Sequence, residues 1–233
     1  MATVLLSLAT AFASAQTATS QPQQRAHWTA QWISHPTASL RDPAVFHFRK
    51  IIDLNQKPAH FTVDVSADNR FLLFVNGSRV DNGPARGDLA HWRYESFDLA
   101  PLLHPGENVI AATVWNFGIY APLGQFSNRS AFLMQGDTPA EAMVNTDASW
   151  QVEADPGFSF IRRRANGFWF YWAADPGEKL DAHQYDWTWM QPGADTSSHW
   201  VAAAGAMRES IYPQTSIANS QYQGFTNPWA LVP

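Results

Sequence analysis

Residues 61–77 read Phe61-Thr62-Val63-Asp64-Val65-Ser66-Ala67-Asp68-Asn69-Arg70-Phe71-Leu72-Leu73-Phe74-Val75-Asn76-Gly77. Phe61, Val63 and Val65 alternate with Thr62, Asp64 and Ser66, the two-residue period of a strand with one face in a core. The apolar run 71–75 then ends on Asn76-Gly77. A two-residue type I′ hairpin needs φ > 0 at both central positions, which Asn-Gly tolerates best. Val80 restarts the apolar pattern on the far side. The stretch predicts a half-buried strand followed by a hairpin.

The same texture continues outward. In residues 46–54, Phe46 and Phe48 share one face while His47 and Arg49 share the other. Residues 93–99 form another strand pattern, and 102–108 is a turn cluster around His104-Pro105-Gly106. Residues 109–115 are rich in β-branched and apolar side chains and read as a central strand buried on both faces. Trp115 belongs to that run and reads as core. Strand patterns at 130–135 and 149–153 complete the series. No sustained helical period exceeds two turns. Short strands at regular spacing, separated by turns, predict an all-β sandwich or barrel.

Composition narrows the function. The chain has 233 residues, 45% hydrophobic and 15% charged, which suits a folded protein with a substantial core. The net charge is −5 with no strongly basic tract, which argues against nucleic acid as a partner. There is no cysteine, so disulfides and thiolate metal sites are excluded. Eleven tryptophans in a β-rich chain point to sandwich cores or to platforms that stack on sugars.

Residues 4–13 are apolar and lead into Ala13-Ser14-Ala15, so residues 1–15 read as a signal peptide. That implies export, to the periplasm or the extracellular space. Residues 16–26 are rich in Gln, Thr and Ser and read as a linker. The β-sandwich is expected over residues 27–156. From 157 to 213 the texture changes to Trp, Gly and Pro, with Trp169, Trp172, Trp187, Trp189 and Trp200, and reads as a smaller accessory β-region, whole or incomplete. Residues 214–233, ending Asn227-Pro228-Trp229-Ala230-Leu231-Val232-Pro233, read as a linker.

Several of these stretches resemble one family in order. They are Ser66-Ala67-Asp68-Asn69-Arg70 through Phe74-Val75-Asn76-Gly77 to Gly83-Pro84-Ala85-Arg86; Trp92-Arg93-Tyr94 with Phe97-Asp98-Leu99; and Val114-Trp115-Asn116-Phe117-Gly118 with Ala121-Pro122. The opening Trp28-Thr29-Ala30-Gln31-Trp32-Ile33 and the final Pro228-Trp229 segment fit as well. Together they resemble the N-terminal β-sandwich region of bacterial α-L-rhamnosidases. The resemblance implies a galactose-binding-like jelly roll, and a catalytic (α/α)6 barrel that would follow residue 233.

In some members of that family the module holds L-rhamnose through a calcium ion. The resemblance carries this role to Asp68, Asn69, Asn116 and Pro122 as metal ligands. Asp68, Asn69, Asn116 and Trp92 would contact the sugar. Calcium takes six to eight hard oxygen ligands, so one carboxylate, two amide oxygens and a backbone carbonyl form a chemically sensible partial shell that sugar hydroxyls complete. Trp92 would face the apolar side of the ring. Other readings of the same residues stay open: Asp68-Asn69 as a turn dipeptide, Asn116 as a cap before Gly118, and Trp92 as core.

Catalysis by this chain is not expected. The family inverts with two carboxyl groups on the barrel, about 6.5–9.5 Å apart. The carboxylates here, among them Asp42, Asp53, Asp64, Asp81, Asp88, Asp98, Glu95, Glu107 and Glu178, read as solvated charges at turns and outward strand positions. The eight histidines, His47 among them, are scattered without metal-ligand spacing and read as turn or surface residues. Arg162-Arg163-Arg164 reads as a solvated turn or an interdomain contact. Nucleophile-elbow, zinc-helix and P-loop motifs do not occur in the sequence. Two roles remain: recognition of an L-rhamnose-containing glycan, or a structural domain packed against an α-L-rhamnosidase catalytic domain.

Overall fold

A computed structural model describes residues 27–161, 176–196, 199–208 and 229–233. The proposed signal peptide and first linker, Trp169, Trp172, the Arg162–Arg164 trio and most of the final linker lie outside these residues. The described chain is built from strands and short 3-10 turns. In order the strands are β1 (Ile33–Ser34), β2 (Ala44–Leu54), β3 (Thr62–Asp68), β4 (Arg70–Val75), β5 (Ser78–Gly83), β6 (Trp92–Arg93), β7 (Glu95–Asp98), β8 (Gly106–Asn116), β9 (Ala131–Gly136) and β10 (Gln151–Ala154). They continue with β11 (Phe158–Ile161), β12 (Gly177–Leu180), β13 (Val201–Ala202), β14 (Ala204–Gly205) and β15 (Leu231–Val232). Among the described residues no helix is long and apolar enough to cross a membrane.

Two sheets face each other, ordered β14-β1-β9-β3-β7 and β13-β10-β2-β8-β4-β5. This is the expected all-β sandwich. Alternation places Val63, Val65, Ala67, Phe132 and Met134 of the first sheet against Phe46, Phe48, Phe71, Leu73, Ile110, Ala112 and Val114 of the second, all buried in one cluster. Trp150 lies in the same core and donates its indole N–H to the Asn145 carbonyl at 3.2 Å. The hairpin forms as the sequence dictates. Asn76 has φ 52° and Gly77 φ 79°, and β4 returns as β5 directly after them. The longest ladder joins β2 to β8 from Ala44↔Asn116 to Leu54↔Gly106, which puts β8 in the middle of its sheet, between β2 and β4.

Both outer faces are covered, and tryptophan does the covering. Over the first sheet, Trp92, Tyr94 and Trp229 are buried with Leu133 and Leu231, and Trp28 and Trp32 pack against them. Over the second, Trp189 is buried on Val109 and Ala111, flanked by Phe74, Tyr185 and Trp200. The strand of residues 109–115 is therefore buried on both faces along most of its length. Thr113 and Trp115, towards its end, are the exceptions: they point outward and are only partly buried.

The boundary expected at 156 does not separate two β-units. Val201–Ala202 pairs with β10 and Ala204–Gly205 pairs with β1, so one short segment closes the same edge of both sheets. Unpaired strand edges invite foreign pairing, and this segment removes two of them. Nor is the chain end wholly a linker. Leu231–Val232 runs parallel to Trp92–Arg93, and Arg93 donates to the Pro233 carbonyl. Among the described residues of the accessory region, only β11 and β12 form a separate two-stranded sheet.

Candidate functional site

Three of the predicted site residues meet. Asp68 ends β3 and Asn116 ends β8, and Asn69 follows Asp68 across a cis peptide bond. Because Val63, Val65 and Ala67 face the core, Asp68 faces the outer side of its sheet, beneath the tryptophan cover. Its Oδ1 accepts from Asn69 Nδ2 at 2.7 Å and Asn116 Nδ2 at 3.0 Å. Its Oδ2 accepts the backbone N–H groups of Asn128 at 2.6 Å and Arg129 at 3.2 Å, and the Trp229 indole N–H at 3.2 Å. The carboxylate has 0% exposure.

The amide oxygens are also engaged. Asn69 Oδ1 accepts the Phe117 N–H at 2.9 Å, and Asn116 Oδ1 accepts the Gly118 N–H at 2.8 Å. The Asn116 contact is the capping role that its place before Gly118 allowed. Gly118 has φ 50°, and a Cβ there would stand 2.6 Å from the Pro43 nitrogen, so the bend that aims its N–H at Asn116 requires glycine. Pro122 is buried in the following loop, where its carbonyl accepts the Gln125 N–H at 3.1 Å. The arrangement is a closed hydrogen-bonded knot. It ties the ends of β3 and β8 to the loop of residues 117–129 and to the tail at Trp229.

This knot does not fit calcium. A cation of that kind needs six to eight oxygens turned towards it. Here Asp68 takes five donors from within the chain, and the amide oxygens and the Pro122 carbonyl each hold a backbone N–H. Trp92 is not an open platform either. It is 2% exposed, within the cluster that contains Trp229, and so takes the core role. A large flat apolar side chain on a strand beside a second tryptophan is drawn inward by burial, and the segment that covers it arrives from the far end of the chain.

Burial pushes the Asp68 carboxyl up to about 6, against the opposing pull of hydrogen bonds from Asn128, Ser127, Trp229 and Arg129. A raised folded-state value favours the protonated native form. Through this group, stability is full below about pH 4, where both states hold the proton, and is lost as pH rises through 6. The loss amounts to about 3 kcal/mol for a two-unit shift. Urea unfolding at pH 4 and pH 7 checks this. Asp68→Asn carries no proton to lose there and is expected to show a flatter profile over that window.

The sequence did not point to a second polar group, on the outer face of the other sheet. His47 is 1% exposed, so its expected surface role is wrong. Its Nδ1 lies 3.2 Å from Glu153 Oε1 and its Nε2 lies 3.4 Å from Asp155 Oδ2. Its ring stacks on Trp189 at 4.0 Å, 5° from parallel. Asp155 is buried, and burial raises its carboxyl above the usual range despite the neighbouring imidazole. Arg49, expected on the same open face, is 2% exposed and donates to the Gln191 carbonyl at 3.1 Å. The signal that existed was His47 and Arg49 alternating with Phe46 and Phe48. It defined the face but not its covering.

No family model matches the chain. A curated α-L-rhamnosidase from Streptomyces avermitilis is 25% identical over 146 residues, 53% of this chain and 14% of that protein. The crystal structure of a GH78 family rhamnosidase from Bacillus sp. GL1 superposes with a TM-score of 0.68 at 26% identity, over 88% of this chain and 20% of that one. This chain is similar to part of an α-L-rhamnosidase. The α-L-rhamnosidase from Aspergillus terreus shares the fold, with a TM-score of 0.56 at 18% identity over 79% of this chain. The likeness thus spans 88% and 79% of this chain, but only about one fifth of the solved rhamnosidases.

Proposed function

We propose that this chain is a carbohydrate-recognition region of an α-L-rhamnosidase-like glycoside hydrolase. In this reading it holds terminal L-rhamnose of a glycan while a separate catalytic domain cleaves the bond. The observation that carries it is the match to a rhamnosidase over 88% of this chain and only 20% of the enzyme. A region of that kind contributes binding and orientation, which raise the effective concentration of substrate at the reacting centre.

The closed state of the Asp68 knot supports binding without calcium. Isothermal titration of L-rhamnose into the chain, with calcium and then with a chelator, tests both points. The expected result is saturable binding that survives chelation. Binding abolished by the chelator would restore the ion-bridged site at Asp68, Asn69, Asn116 and Pro122. A second reading, a brace for a catalytic domain, is favoured by one observation. Ile119, Leu123 and Phe126 stand 80%, 54% and 53% exposed on a single loop, an apolar tip of the sort that seats against another domain. Absence of heat with any sugar would leave that reading in place.

A further inference from the structure

The described residues do not seal the outer face of the six-stranded sheet along its whole length. Beyond Trp189 it opens into a cleft of about 410 Å³, within the size range of small-ligand sites. Strands β2, β4 and β8 form its floor, the hairpin β11–β12 one wall, and residues 185–187 the other. Trp115 lies in the floor, and Tyr185 and Trp187 line the wall with their rings 4.7 Å apart, edge to face. Besides Tyr185, the titratable groups that reach the same space are His47, Asp155 and Glu178.

We infer that this cleft is a sugar-binding site that takes one neutral six-membered sugar ring, with no metal ion. The inference rests on the carbohydrate-recognition reading and names its site. The chemistry is specific in three respects. Aromatic faces offer an apolar surface to the C–H side of a pyranose, and Trp187, 57% exposed, is the ring most open to contact. Asp155 Oδ2 and His47 Nε2 are buried at the cleft and face each other at 3.4 Å, with no hydrogen bond to any other group. A carboxylate oxygen and a ring nitrogen paired only with each other keep hydrogen-bonding capacity that a ligand hydroxyl can use. Among the described residues the acidic groups lining the cleft are two carboxylates, Asp155 and Glu178, with no lysine or arginine beside them, which favours a neutral sugar over uronic acids, sulfates and phosphates.

The test uses the whole chain and three variants, Trp187→Ala, Asp155→Asn and Asp68→Asn. Each is titrated with L-rhamnose, D-galactose and D-glucuronic acid in the presence of chelator. Trp187 is exposed, so its removal leaves the fold intact and guards against misfolding of the Asp155 variant. The expected result is a neutral sugar binding the wild type. Its affinity falls at least tenfold in Trp187→Ala and Asp155→Asn and is unchanged in Asp68→Asn, and D-glucuronic acid does not compete. Neutral-sugar binding equal in wild type and both cleft variants would overturn this site while leaving carbohydrate recognition standing. Binding of no sugar by the wild type, with or without calcium, would overturn both together.

Discussion

Replacing Asp68 with alanine is expected to lower the free energy of unfolding by about 4 kcal/mol at neutral pH, one of the two largest single-residue losses in the molecule. The side chain collects five donors, from Asn69, Asn116, Asn128, Arg129 and Trp229. Alanine leaves them in a place from which water is excluded, and each stranded buried donor costs about 1–3 kcal/mol. Two effects reduce the sum. The mutation removes a carboxylate that is costly to bury, and water can enter the space left by two oxygens. What remains is also topological. Asp68 joins the end of β3 to the loop of residues 117–129 and to Trp229, which lies 161 positions later. The measurement is equilibrium urea unfolding, read as the shift in midpoint at constant slope. A loss below about 1 kcal/mol would mean that the five donors find other partners and that the knot adds little.

The sequence made some of this legible for clear reasons. Strand identity in 61–77 rests on a two-residue period and a turn dipeptide, both local, and the observed φ values at Asn76 and Gly77 match the turn that their chemistry favours. The inward face of β2 followed from Phe46 and Phe48. The meeting of Asp68, Asn69 and Asn116 was also foreseen, through the resemblance rather than through spacing. What the sequence hid is non-local. His47, Arg49 and Asp155 look like solvent-facing polar residues until residues 185–200 are laid over them. Trp92 looks like a free platform until Trp229 arrives from the chain end. Trp115 looks like core because its strand is apolar, yet it sits at a stretch of that face that the described residues leave partly open. The closure of both sheet edges by residues 201–205 has no local signature either, since Val201-Ala202-Ala203-Ala204-Gly205 carries no strand period. Each miss comes from contacts between segments far apart in the chain, the kind of information that short-range pattern does not hold.

Trp189 gives the second large effect. Its replacement by alanine is expected to cost about 4 kcal/mol, within the range for emptying a tryptophan site in a core. The ring is 0% exposed although it belongs to the cover and not to the sandwich. It stacks on His47 at 4.0 Å, meets Phe74 edge-on at 5.9 Å, approaches Trp200 at 6.1 Å, and donates its indole N–H to the Tyr185 hydroxyl at 3.1 Å. It is thus the main apolar anchor between residues 185–200 and the outer face of the six-stranded sheet. Without it, water reaches His47, Glu153 and Asp155, and those groups recover hydration that partly offsets the lost packing. The cover then becomes the least stable part of the molecule, because its other attachments are peripheral to this ring. Hydrogen exchange separates this from general loosening. In Trp189→Ala the amides of residues 185–191 are expected to exchange much faster than in wild type, while those of β3 and β9 in the opposite sheet keep protection that falls only with the global stability. Equal acceleration in both places would mean that the cover and the sandwich unfold as one unit and that Trp189 is an ordinary member of a single core.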